Sequence, residues 1–157
     1  MNLQFWSVGK PHEAYIKPGV EDFTGRIGKY FPVGWWILPP IKNAAAFSEN
    51  ALKKQEASGI LQNLHPGDFL VLLDETGKQL SAPEFAKFLQ QRANESSKRV
   101  IFLIGGAFGV DASVKQRADF TWSLSRLVFP HMLVRLILTE QVYRACTILR
   151  NEKYHHG

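Results

Sequence analysis

FLIGGAFGVD (residues 102–111) indicates an apolar strand that breaks into a double-glycine loop. Downstream, LSRLVFPHMLVR (residues 124–135) predicts a second loop that leads into a long helix beginning with proline. The chain then ends in YHHG (residues 154–157). Terminal residues are usually frayed and expendable. Aromatic and imidazole side chains placed directly after a basic helix favour a functional role over fraying.

Strand and helix patterns alternate along the rest of the chain. Strands are predicted at residues 3–8, 33–38, 68–74, 99–106 and 120–124, and helices at 18–29, 48–64, 81–92, 112–117 and 130–151. This alternation predicts an α/β fold with a mainly parallel sheet flanked by helices. A chain of 157 residues fits a single domain, over residues 1–157.

Charge and composition narrow the classes of partner. The net charge is +5, and many of the cations lie between residues 98 and 153. This balance favours a polyanionic partner, although a modestly basic protein without an anionic ligand explains it too. The sequence has no apolar run long enough for a membrane span and no metal-ligand spacing, so we expect neither membrane nor metal. A lone Cys146 and the absence of a signal-peptide pattern predict the cytoplasm.

Loops follow three of the predicted strands, at residues 73–77, 104–109 and 123–127. In parallel sheets, ligands bind beyond the carboxyl ends of the strands. Glycine lets the backbone approach such a ligand closely. Neither a dinucleotide-binding nor a nucleotide-phosphate loop motif is present, which disfavours an NAD or ATP enzyme.

Together the motifs resemble one family. LLDETGKQLSAPEFA (residues 72–86), FLIGGAFGVD, LSRLVFPHMLVRLILTEQVYRA (residues 124–145) and the terminal YH are similar, in order and spacing, to the RlmH family. These are SPOUT-class methyltransferases that act on N3 of a pseudouridine in large-subunit (23S) ribosomal RNA. The resemblance implies a deep C-terminal trefoil knot, S-adenosyl-L-methionine as cofactor, a homodimer, and the ribosome as partner.

The resemblance also implies which residues hold the cofactor. They are Leu73, Gly105, Leu124, Ser125, Arg126, Leu127, Val128 and Phe129. Adenine is flat and mostly apolar, so aliphatic walls and accessible backbone suit it. Phe108 departs from the family pattern, in which a polar or acidic residue is expected. Two roles stay open for the Phe108 ring: it covers the cofactor, or it packs on a helix.

Catalysis is assigned, again by resemblance, to Arg144, Tyr154 and His155, and RNA binding to Arg135, Arg144, Tyr154 and His155. An imide nitrogen must lose its proton before it attacks a methyl group, so a cation and a base are the expected groups. His131 and Glu140 also match the family. For His131, the alternative role is to cap its helix. For Glu140, the alternative role is a surface ion pair with Arg144.

The last helix is apolar around most of its circumference, which predicts burial on more than one side and a homodimer interface that includes it. Its apolar residues are Leu133, Leu136, Ile137, Val142, Ala145, Ile148 and Leu149.

The core is expected to be complete before residue 151, so the terminal residues and Arg135 should be removable with little loss of packing. Two other classes stay open: an enzyme with another small cofactor, and a non-catalytic RNA- or ribosome-binding module.

Overall fold

A computed structural model describes residues 1–95 and 97–157 of the protein. Its strands are β1 (Asn2–Val8), β2 (Val33–Leu38), β3 (Phe69–Gln79), β4 (Arg99–Ile104) and β5 (Phe120–Ser123). Its α-helices are α1 (Lys17–Ile27), α2 (Glu49–Asn63), α3 (Ala82–Asn94), α4 (Ala112–Arg117) and α5 (His131–Leu149), with a 3-10 turn at Ala44–Ala46. The predicted α/β architecture is confirmed.

The strands form one five-stranded sheet in the order β2-β1-β4-β3-β5, and every pair of neighbours is parallel. Helices cover both faces, so β4 at the centre is apolar along most of its length. One apolar core lies under α1, α3 and α5, and the other under α2 and α4. Trp35 and Trp36 lie on opposite faces of β2 and pack against Phe5 and Trp6 respectively.

Helix starts follow local signals in the sequence. The hydroxyl of Ser48 accepts a hydrogen bond from the Ala51 amide at the start of α2. At the start of α3, Ser81 and Glu84 form a reciprocal capping box, a pattern that the sequence shows by its spacing. Pro130 immediately precedes α5, as predicted from the sequence.

One strand differs from its prediction. β3 continues to Gln79 instead of ending at Asp74, with a register shift between Leu73 and Lys78 in its pairing with β5. The predicted loop at residues 73–77 is therefore a bulge within a strand. Gly77 permits it, because a Cβ there would lie 2.6 Å from the Thr121 carbonyl oxygen. The trefoil knot stays a prediction.

Candidate active site

A cavity of about 650 Å³ lies beside the β3 bulge and beyond the carboxyl ends of β4 and β5. Its volume is in the range of small-molecule sites. The sheet order creates it, because β3 pairs with both β4 and β5 and so gathers the three loops predicted to bind a ligand. Of the predicted cofactor residues, those that line it are Leu73, Gly105, Leu124, Ser125, Leu127, Val128 and Phe129.

Arg126 is the predicted cofactor residue that the cavity lining lacks. Its side chain is exposed, between two residues that do line the cavity. Ser125 accepts a hydrogen bond from the Leu127 amide, which forms a tight turn across Arg126. Arg126 therefore lies beside the cavity without lining it, and its assignment to the cofactor stays a prediction.

The double-glycine loop packs tightly against the residue that follows it. A Cβ on Gly105 would lie 2.7 Å from Cγ1 of Val110, which also lines the cavity. Gly109 has a φ of 81°, a conformation that other residues rarely adopt. The glycines thus fold the loop back on itself, and a substitution at Gly105 would disturb Val110 as well as a ligand.

Three exposed apolar residues surround the cavity. Phe108, Leu127 and Val128 are 50%, 70% and 75% exposed and all line it. Phe108 therefore faces the cavity, which favours the cofactor-covering role among its two alternatives. Apolar side chains left in water around a concave site indicate a surface that a ligand or partner covers.

Polar groups outside the predicted cofactor set also reach the cavity. Glu49 stands in the first turn of α2, and Lys115 lies on α4. Asp74 and Glu75 line it from the β3 bulge, and His131 from the first turn of α5. Cationic and anionic groups of a nucleoside-like ligand would both find a charged partner here. No local pattern marks Glu49 or Lys115, because only the packing of α2 and α4 brings them to the strand ends.

The last helix and the C-terminal tail form a second cluster. Arg144 donates to Glu140 at 2.7 Å, and its other terminal nitrogen lies 3.2 Å from Nδ1 of His155. The Tyr154 hydroxyl donates to Glu140 at 3.0 Å, and the Arg144 guanidinium lies 4.8 Å from the Tyr154 ring. The structure thus brings together the three predicted catalytic residues, and Glu140 joins them.

Protonation states in this cluster follow from its donors. Arginine carries only donors, so its contact with Nδ1 of His155 requires that nitrogen to be an unprotonated acceptor. A neutral His155 then carries its proton on Nε2. Burial and the hydrogen bond to Glu140 raise the pKa of the Tyr154 hydroxyl, which keeps it protonated.

The tail is packed, contrary to the prediction from the sequence. Tyr154 and His155 are half-buried, and the Tyr154 ring meets Tyr143 edge-to-face with 4.7 Å between centroids. Aromatic contacts of this kind contribute about 0.5–1.5 kcal/mol beyond area burial. Residues beyond 151 therefore belong to the fold, because α5 offers them an aromatic and charged surface.

Arg135 requires a larger correction. It is 1% exposed, and its guanidinium meets two neutral groups, Oγ of Ser7 at 3.2 Å and Nδ1 of His12 at 3.1 Å. Burial, and then the charge of Arg135, lower the pKa of His12, so a neutral ring acts as acceptor. The prediction that this side chain is dispensable for packing is wrong. A buried guanidinium also presents no surface to RNA in this conformation.

The role of Arg135 in packing can be tested with two variants. We expect Arg135→Ala to lower the free energy of unfolding by about 2–4 kcal/mol, because it leaves a cavity under α5. Arg135→Met keeps most of the volume and removes a buried charge, so we expect it to cost much less. Urea denaturation measures both. Equal losses would show that the charge, and not the filled volume, matters at this position.

The cavity and the cluster lie apart in one protomer. Val134 lines the cavity, whereas Arg144 lies ten residues further along α5, about 15 Å at 1.5 Å per residue. Arg144, Tyr154 and His155 do not line the cavity. A single described protomer therefore holds both halves of the predicted site without joining them.

Within residues 1–95 and 97–157, no three His, Cys, Asp or Glu side chains are grouped so as to hold a metal ion. None of the helices in the described part of the chain has the length and apolar character to cross a membrane.

Comparison with known proteins agrees with this geometry. Residues 1–155 match the model of a family described as "Predicted SPOUT methyltransferase". The chain is 42% identical over 156 residues to the ribosomal RNA large subunit methyltransferase H of Cytophaga hutchinsonii, covering 99% of this chain and 100% of that protein. It is 41% identical over 157 residues to the protein of the same name from Geobacter metallireducens, covering 100% of both. The chain therefore belongs to the SPOUT methyltransferase family, in the group of the ribosomal RNA large subunit methyltransferases H.

Proposed function

We propose that this protein is an S-adenosyl-L-methionine-dependent methyltransferase that methylates N3 of a pseudouridine in 23S ribosomal RNA, on the assembled ribosome in the cytoplasm. One observation carries the proposal. A chain of this family combines a nucleoside-sized cavity at the strand ends with an Arg144–Tyr154–His155 cluster on its last helix and tail. The cavity supports cofactor binding, and the cluster supports recognition of an anion that develops on a base.

The residues present fit the cofactor. Leu73, Leu124 and Phe129 supply apolar walls for adenine, and carboxylates such as Asp74 suit a cationic ligand. When bound, S-adenosyl-L-methionine supplies a methyl group made electrophilic by a sulfonium. The exposed side chains of Leu127 and Val128 would cover the bound cofactor and shield it from water.

The cluster acts on the base. The guanidinium of Arg144 stabilises the negative charge that N3 of pseudouridine acquires when it loses its proton. Glu140 holds that guanidinium in place through its hydrogen bond. His155, with its proton on Nε2, donates to the RNA. It accepts the N3 proton at Nδ1 only after Arg144 moves away from that nitrogen. Tyr154 positions Glu140 and Arg144 and supplies a ring for stacking.

A homodimer would join the two halves of the site. Leu133 and Ile137 are half-buried and lie one turn apart on the same side of α5. In a two-fold dimer the same surface meets itself. If two α5 helices cross antiparallel at the level of residue 139, the partner's Arg144 comes level with Val134, which lines the cavity. The cavity of one protomer then receives the cluster of the other.

This arrangement predicts the oligomeric state. We expect the protein to sediment as a dimer at micromolar concentration. Ile137→Glu should shift it towards the monomer, because two carboxylates would meet in an apolar interface. Phe47→Glu offers a matched control, because it adds the same charge at an exposed apolar residue just before α2, on the face of the sheet opposite α5, and it should remain dimeric. A wild-type monomer at these concentrations would contradict the joined site.

The reaction is tested on ribosomal RNA itself. Mass mapping of 23S ribosomal RNA from a strain that lacks the protein should reveal one pseudouridine without its methyl group, and the restored gene should return it. Methyl transfer in vitro to whole ribosomes and to protein-free RNA then separates the two substrates. Calorimetry with S-adenosyl-L-methionine separates an enzyme from a non-catalytic RNA-binding module. An unchanged methylation pattern in the deletion strain would end the proposal.

A further inference from the structure

A second hollow, of about 560 Å³, lies between the C-terminal ends of α1 and α5. It is lined by three cations, two tyrosines and two carboxylates: Arg26, Lys29, Arg150, Tyr30, Tyr143, Asp22 and Glu152. α1 leads from the carboxyl end of β1 back to the start of β2, so this hollow lies at the opposite edge of the sheet from the cofactor cavity. It is a separate site.

Two of the cations are free to meet an anion. Asp22 pairs with Arg26 at 3.3 Å, and Glu152 accepts a hydrogen bond from the Tyr30 hydroxyl. Lys29 and Arg150 are both exposed, and within the described residues neither has a carboxylate at ion-pair distance. The hollow therefore presents two unpaired positive charges, those of Lys29 and Arg150. Its two carboxylates already have partners within the hollow.

Tyrosine rings lie beside these cations. The guanidinium of Arg150 is 5.5 Å from the centre of the Tyr30 ring, and that of Arg26 is 5.4 Å from the centre of the Tyr143 ring. Cation–π contacts hold arginine side chains in place. Cations interleaved with aromatic rings are the combination that tracks a single-stranded nucleic-acid backbone.

The C-terminal ends of α1 and α5 give a simpler reason why cations lie here. Arg26 lies in the last turn of α1, and Arg150 is the residue after α5. Cations at these positions complement the partial negative charge of a helix C-terminus. That reason accounts for the charges, but it does not require a concave surface or the two tyrosines.

The hollow is continuous with the catalytic cluster. Tyr143 lies between them, with its ring 6.4 Å from that of Tyr30 on one side and 4.7 Å from that of Tyr154 on the other. Arg144 and His155 contact each other beside Tyr154. Tyr143 thus places the hollow beside the cluster, within reach of an RNA strand held at Tyr154 and His155.

We propose that this hollow binds backbone phosphates of the RNA that flanks the target nucleotide, with Lys29 and Arg150 as the phosphate contacts. This inference rests on the proposed function, because it assumes an RNA substrate at the cluster. The contacts would position the RNA without reading its sequence, since phosphates carry no sequence information.

The test uses Lys29→Gln/Arg150→Gln in the full-length chain, with Lys87→Gln on the exposed surface of α3 as the control. We expect the double variant to raise KM and Kd for ribosomes about tenfold, with kcat and S-adenosyl-L-methionine affinity unchanged. The dependence of log Kd on log salt should become shallower by about 1.4–1.8, or 0.7–0.9 for each lost phosphate contact. The control should match wild type in every measurement.

Three results would overturn this inference. Wild-type Kd and salt dependence in the double variant would show that the hollow binds no phosphate. A lower Tm with unchanged Kd would show that the cations serve the helix ends only. Weaker binding with an unchanged salt dependence would point to a ribosomal protein as the contact. Failure of the proposed function is distinct, because the wild-type enzyme would then methylate no ribosomal RNA.

Discussion

A chain that ends at Lys153 is expected to methylate ribosomal RNA at less than about 1% of the full-length rate, because Arg144 loses the two residues that position it to stabilise charge at the reacting base. Truncation removes Tyr154 and His155, whose side chains contact the Arg144 guanidinium. The cofactor cavity contains neither residue. S-adenosyl-L-methionine should therefore bind the truncated chain with an affinity close to that of the full-length protein.

The structure also sets the expected cost in stability. Truncation removes the edge-to-face contact of Tyr154 with Tyr143 and its hydrogen bond to Glu140. We expect the free energy of unfolding to fall by about 1–2 kcal/mol, which is too little to unfold a typical domain. Urea denaturation would measure this loss, and a radioactive methyl-transfer assay on ribosomes would measure the rate.

Two controls make this result specific. A chain that ends at His155 lacks only the exposed residues His156 and Gly157, and it should retain full activity. Tyr154→Phe keeps the ring beside Arg144 but loses the hydroxyl that donates a hydrogen bond to Glu140. This variant should retain part of the rate. If the chain ending at Lys153 methylates ribosomes at the full-length rate, the tail has no catalytic role and the assignment of Tyr154 and His155 fails.

Leu127→Asp is expected to weaken S-adenosyl-L-methionine binding at least tenfold, or by about 1.4 kcal/mol. Leu127 is 70% exposed and lines the cavity, so its apolar surface is available to cover a ligand. Burying a leucine side chain contributes about 1.5–3 kcal/mol, and a carboxylate in its place would lose that contribution. Because the residue is exposed in the free protein, the substitution should change stability by about 0.5 kcal/mol or less.

Tyr15→Asp provides the matched control, because Tyr15 is 63% exposed and does not line the cavity. It introduces the same charge into an equally exposed apolar position. Titration calorimetry should show unchanged cofactor affinity for this variant. Equal affinities for Leu127→Asp and wild type would place the cofactor elsewhere. Gly105→Val is a poorer test, since a Cβ there would already crowd Val110 in the free protein.

Local signals in the sequence determined most of the elements and the class of the fold. The Ser81–Glu84 capping box, the Ser48 cap and the proline before α5 each act within a few residues, so they are legible without tertiary structure. The apolar run at residues 100–104 likewise predicts a strand buried on both faces. The motifs at residues 102–111 and 124–145 identified the family, which the matches over the whole chain confirm.

Tertiary structure alone decided how these pieces meet. The packing of α2 and α4 places Glu49 and Lys115 at the cavity, although no local pattern in the sequence marks either residue. Burial of Arg135 depends on Ser7 and His12, which precede it by more than 120 positions. The hollow between Lys29 and Arg150 has the same origin. Helical periodicity and capping report a residue's neighbours within one or two turns, whereas burial and charge pairing depend on contacts between segments far apart in the chain.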